Sequence, residues 1–166
     1  SVSASDDSFA EKLHGPVYEE NSGACRFILC MMAKTGMTQE TYVDLWRQYD
    51  SKQYVWSIEH IFPQGNNIPQ AWVDMIADGD RNKAQEYQAL YVHTFGNLTI
   101  TGYNSSLSNK SFEEKRDRKD NSGKYIGYRN GLNLNADVAD KTAWTVDAIK
   151  ARTDSMVEKI LAMFQL

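Results

Sequence analysis

Apolar residues along this chain follow two rhythms, one of three to four residues and one of two, and the switches between them set the expected architecture. From Gly23 to Lys34 they are dense enough for a buried helix, and Gly36 followed by Thr38 reads as a stop and a fresh N-cap. A second helix is expected at Gln39 to Gln48, with Tyr42, Leu45, Trp46 and Tyr49 forming a core-facing stripe. Tyr54 to Ile58 is β-branched and aromatic, a short strand running into Glu59-His60-Ile61-Phe62-Pro63-Gln64, where the proline ends regular structure. Pro69 to Ile76 and Arg81 to Tyr91 read as helices of an inserted cap or spacer, separated by an Asp78-Gly79-Asp80 turn. Phe95-Gly96-Asn97 is then a turn, Leu98 to Thr101 a strand and Gly102 a break. A helix from Tyr103 or Asn104 should continue through the basic residues that follow. After a Gly- and Asn-rich stretch, Val146, Ile149, Met156, Ile160 and Met163 mark a long terminal helix between Thr145 and Phe164. The expected fold class is α+β, mainly α-helical, with a strand, turn, strand, helix core embedded in helices.

Length and composition narrow this picture. The 166 residues fit one domain. Residues 1–20 read as a linker or tail and 21–166 as the domain, with its core at about 54–119 and its closing helix at about 145–165. Because the chain starts at Ser1, a partner domain is expected upstream. A hydrophobic fraction of 42% suits a folded protein. A mean hydropathy of -0.56 and the absence of any apolar run near the roughly 20 residues of a membrane span argue against a membrane partner. The acidic start lacks the layout of a signal peptide, so a cytoplasmic location is expected. Cys25 and Cys30, five apart on a helix, point about 140° away from each other and read as buried free thiols. No structural zinc is expected, because one pair of cysteines cannot complete a four-ligand site.

The net charge of -4 speaks against indiscriminate coating of nucleic acid, yet one segment is locally basic: Lys110, Lys115, Arg116, Arg118 and Lys119 fall within ten residues. That run is either a solvated helix face or a set of phosphate contacts, with Lys110 and Lys115 the first choices and Arg116 and Arg118 beside them. Its position matters because it starts next to a group of residues suited to phosphodiester hydrolysis, which needs a base, hard oxygen ligands and cationic contacts. His60 is the natural base, with an ordinary pKa of about 6.5 that predicts a rise in rate between about pH 6 and pH 8. Glu59 and Asn104 offer oxygens of the kind that one Mg²⁺ or Mn²⁺ ion prefers. His93, just before the second strand, is either a loop histidine or a contact to metal or phosphate, and His14 reads as solvent-exposed.

Taken together, EHIFPQ followed by FGNLTITGYNSSLSNKSFEEK resembles the HNH, or His-Me finger, motif of the GmrSD-type nuclease domain. The Trp144-Thr145, Ile149, Arg152, Met156 pattern extends the resemblance over about 21–166. The resemblance implies a ββα-metal fold in which Glu59 and Asn104 bind the ion, His60 activates water, and Asn97 steadies the loop holding His60. Two features depart from it. Glu59 stands where many relatives have Asp, and seven residues rather than nine separate Asn97 from Asn104, so Asn109 or Ser105 could replace Asn104 as ligand. The resemblance further implies restriction of phage or modified DNA, with an N-terminal NTP-binding sensor domain as partner. A catalytically weak DNA-binding module and a ribonuclease or toxin nuclease are the competing functions; plasmid cleavage with metal, on DNA and RNA side by side, separates them.

Overall fold

A two-stranded antiparallel ribbon, packed on both faces, organises the fold. In the computed structural model, which describes residues 4–164, β1 (Ser57–His60) pairs with β2 (Leu98–Thr101) so that His60 faces Leu98 and Glu59 faces Thr99. All four β2 residues are buried, as expected of a strand covered on both sides. The helices in chain order are α1 (Ala4–Leu13), α2 (Val17–Glu20), α3 (Ser22–Lys34), α4 (Gln70–Ala77), α5 (Arg81–Tyr91), α6 (Asn104–Leu107), α7 (Phe112–Asp117), α8 (Ala136–Ala139) and α9 (Val146–Met163). The mainly helical α+β class expected from the sequence is the one observed.

Two apolar clusters make the core. One gathers Cys25, Leu29, Cys30 and Ala33 of α3 with Leu98 and Ile100 of β2 and Met156, Val157 and Ile160 of α9. The other gathers Ile61, Phe62, Trp72, Val73, Phe112, Tyr128, Trp144 and Ile149, with the Phe112 and Trp144 rings stacked at 5.7 Å. Trp72 and Val73 place α4 inside this second cluster, so α4 is part of the domain's core and not a detachable cap. Cys25 and Cys30 are buried free thiols, and burial pushes the Cys25 thiol up to about 12.

The C-terminal helix closes the structure through one tight contact. A Cβ on Gly96 would lie 1.9 Å from the Ile149 carbonyl oxygen, so only glycine lets the turn before β2 touch α9. Arg152, 4% exposed, then donates to the carbonyls of Gly96 (2.9 Å), Leu98 (2.7 Å) and Leu134 (2.9 Å) and pairs with Asp137 (3.1 Å). This cation is held by three backbone oxygens and a carboxylate, which ties α9 to the β-ribbon.

Several expectations are corrected. The helix at Gln39 to Gln48 does not form. Thr38 and Thr41 exchange side-chain bonds with each other's backbone, and Asp44 accepts from Trp46 N at 3.0 Å. Short polar side chains here offer the backbone partners that compete with a helix. Of the supposed core stripe only Leu45 is buried; Tyr42 (60%), Tyr49 (66%) and Trp46 (37%) are exposed. Tyr54 makes an isolated bridge to Gln48, and regular pairing begins only at Ser57. The helix after Asn104 is broken at Ser108, whose φ of 35° no helix contains, and resumes at Phe112. In place of a linker or tail, the described residues before 21 carry α1 and α2, and Leu13 is buried in the first core cluster.

Candidate active site

β1 ends in a position that exposes its last two residues to different surroundings. Adjacent strand residues face opposite sides, so Glu59 meets α7 on one face while His60 meets Tyr18 and His93 on the other. Both nevertheless line a hollow of about 410 Å³ at the strand end, together with Asn104, Ser105, Ser108 and Asn109.

His60, 6% exposed, shares a 3.0 Å hydrogen bond between its Nε2 and Nδ1 of His93. The Tyr18 ring stands edge-on to His60 at 4.5 Å and stacks on His93 at 5.3 Å. Burial, reinforced by His93 and then Lys115, pushes His60 down to about 3.

Asn97 holds the chain just after His60. Its Oδ1 accepts from Phe62 N (2.8 Å) and Trp144 Nε1 (3.1 Å), and its Nδ2 donates to the carbonyls of Phe62 (3.0 Å) and Val92 (2.9 Å). Ile61 N also donates to the Asn97 carbonyl at 2.9 Å. With no exposure, Asn97 spends its hydrogen-bonding capacity inside the protein, bracing the segment that follows His60.

Glu59, 3% exposed, gives Oε1 to Lys115 Nζ at 3.2 Å, while its Oε2 is buried without a hydrogen-bond partner among the described residues. Desolvation outweighs Lys115 and raises its carboxyl to about 7. Asn104 is fixed by donation from Nδ2 to Ser57 Oγ (3.2 Å) and the Ile58 carbonyl (3.0 Å), which commits the nitrogen and leaves Oδ1 as the available oxygen. Glu59 and Asn104 both line one hollow, and a carboxylate with an unpaired oxygen and an oriented amide are donor types that a hard divalent cation prefers. Among the described residues, no cluster of three or more His, Cys, Asp or Glu gathers for a metal. The remaining coordination positions would fall to water and phosphate.

The basic run divides sharply. Lys115 is fully buried, donating to Glu59 Oε1, the His60 carbonyl (3.0 Å) and the Ile61 carbonyl (3.1 Å), so the expected phosphate contact is instead an internal brace beneath β1. Arg116 pairs with Asp117 at 2.8 Å, donates to the Lys141 carbonyl and lines a different hollow. Lys119 covers the Tyr125 ring. Arg118 is exposed, outside the lining of the 410 Å³ hollow, and Lys110 follows Asn109 on the loop between α6 and α7. His14, 44% exposed in its side chain, pairs with Asp154.

Sequence reasoning missed Tyr18, which sat in the supposed tail, and missed that Glu59 and Lys115 form a pair 56 residues apart. No local pattern announces either. The spacing of an i, i+4 helix pair or a strand alternation was unavailable, because both partners come from non-adjacent elements.

None of the described helices is long and apolar enough to cross a membrane. No curated protein and no solved structure matches the chain. A family model does match, over residues 3–159, and by it the chain belongs to the GmrSD restriction endonucleases, C-terminal domain family.

Proposed function

We propose that this domain is a metal-dependent HNH endonuclease that hydrolyses DNA phosphodiester bonds, with His60 as the base for water. The observation that carries this reading is the hollow itself. A histidine with one nitrogen already engaged stands there beside a buried carboxylate with an unused oxygen and an oriented amide.

In the tautomer this reading requires, His60 Nε2–H is the donor of the bond shared with His93 Nδ1, and the His60 Nδ1 lone pair is left to accept the proton of the attacking water. His93 is a positioning residue: it selects the tautomer and fixes the ring, and Tyr18 packs against both rings. Held near 3 in the free protein, His60 stays neutral at physiological pH. The negative phosphates of bound substrate raise its proton affinity, so the base gains strength once DNA is in place. Glu59 and Asn104 would hold Mg²⁺ or Mn²⁺, with Asn109 or Ser105 able to add an oxygen from the same hollow. An ion there supplies Lewis-acid stabilisation of the charge on the phosphate oxygens. Lys110 and Arg118 supply phosphate contacts. Restriction of phage or modified DNA, licensed by an N-terminal NTP-binding domain, completes the proposal at the level of the full enzyme.

Supercoiled plasmid and an RNA of matched length, incubated with Mg²⁺, Mn²⁺ or excess EDTA, test the reading with wild type and His60→Ala. DNA should be cut only with metal, and His60→Ala should lose about 10² to 10⁴-fold in rate while melting as a folded protein. Undiminished cutting in EDTA refutes the proposal, and cutting confined to RNA replaces the substrate.

A further inference from the structure

We propose that the aromatic groove beside the catalytic hollow is a stacking subsite for unpaired nucleobases next to the scissile phosphate; this rests on the nuclease reading. The groove has a volume of about 740 Å³ and shares Ile58, Gln64, Asn104 and Ser105 with the hollow, so the two adjoin. A strand that fills the groove can therefore reach the hollow across a shared wall.

Its walls suit a base. Tyr18, Tyr49, Tyr54 and Trp56 contribute rings, and no carboxylate lines it, although the chain carries 22 acidic residues against 18 basic ones. The one charged side chain in the lining is Arg26, whose guanidinium lies 3.6 Å from the Tyr54 ring centroid and donates to the Trp56 carbonyl. That cation braces the platform and lends it positive potential. Tyr49 stands 66% exposed, so its ring is accessible to a base entering the groove.

Bases of an intact duplex have their faces covered by neighbours. The occupant is accordingly a single strand or a base swung out of the helix, and stacking on aromatic rings accepts any base because each has a π-face. A groove reading base faces and a hollow reading phosphates would together fix which phosphodiester bond enters.

Binding is measured in EDTA, where the nuclease is idle, with a short labelled single strand and the same strand carrying abasic linkers. Wild type should bind the abasic strand about tenfold more weakly. Tyr49→Ala should weaken binding of the intact strand about fivefold to tenfold and leave the abasic strand unchanged. Tyr42→Ala, equally exposed but outside the groove, should change neither. Equal wild-type affinity for both strands, or a Tyr49→Ala that behaves like Tyr42→Ala, overturns the subsite. So does a dimer that Tyr49→Ala dissociates with strand affinity intact, which would give the groove to a second copy. Metal-dependent plasmid cleavage by wild type reports on the nuclease reading separately: cleavage without base dependence refutes the groove alone, and base-dependent binding without cleavage refutes the nuclease alone.

Discussion

Replacing Lys115 by Met separates a structural lysine from a DNA-binding one. All three ammonium donors are used, on Glu59 Oε1, the His60 carbonyl and the Ile61 carbonyl, at 3.0–3.2 Å with no exposure. Removing one partner of a buried pair costs about 3–5 kcal/mol. The low end applies here. Glu59, already raised to about 7, can take up a proton when the ammonium is gone, which discharges most of the stranded charge at neutral pH. The two orphaned carbonyls then dominate, at about 1–3 kcal/mol each before relaxation. A loss of about 3 kcal/mol lowers Tm by roughly 6–12 °C in a domain of this length. The cost should shrink at pH 5, where Glu59 is protonated in both proteins, and Glu59→Gln combined with Lys115→Met should cost less than the two singles added, because they remove one pair. Thermal scans at pH 5 and 8, beside the salt dependence of DNA binding, decide the matter. A Tm within a degree or two of wild type, together with a salt slope reduced by about one, would show that Lys115 is a surface phosphate contact and that the brace is wrong.

The pH dependence of cutting should follow Glu59 and not His60. Glu59 titrates near 7, so the rate rises through that value, and the rise moves to lower pH as Mn²⁺ is increased because metal competes with the proton; a profile independent of metal concentration contradicts its role as ligand. Its raised value also contributes stability that is full below the ordinary 4.5 and lost as pH climbs through about 7, whereas the lowered His60 contributes stability present above 6.5 and lost on acidification toward about 3. His93→Phe should reduce kcat with KM little changed, and His93→Asn, which keeps an acceptor near Nδ1, should recover part of it; equal losses in both variants would leave His93 a packing residue. Ser108→Gly should stabilise by about 1 kcal/mol, since φ 35° with ψ -120° suits glycine, while Gly96→Ala should destabilise by several times that because its Cβ would meet the Ile149 backbone; chemical denaturation reads both.

Where periodicity was long, the sequence was informative: α3, α4, α5, β2 and α9 follow their apolar spacing to within a few residues. The segment from Thr38 to Gln53 misled because its aromatic residues satisfy helical spacing while its Thr and Asp side chains bind the local backbone. His60 and its neighbours were legible as a candidate group because they lie in one contiguous stretch. The surroundings that set their protonation were not. Desolvation of His60 and the opposed pull of burial and Lys115 on Glu59 depend on contacts spanning 33 and 56 residues, and with them the expected pH dependence moves from His60 to Glu59.

The seat of Gly96 against α9 also has a meaning in time. Leu98, the strand partner of His60, gives its carbonyl to Arg152, and Asn97 takes a hydrogen bond from Trp144. Between His60 and Arg152 the ribosome must add 152 − 60 = 92 residues, about 5–20 s of synthesis at ordinary rates of roughly 5–20 residues per second. Throughout that interval the nascent chain carries its histidine without the scaffold that orients it. The strand paired with β1 thus gains its backbone partner from Arg152 only when α9 docks, so the surroundings of His60 are completed last.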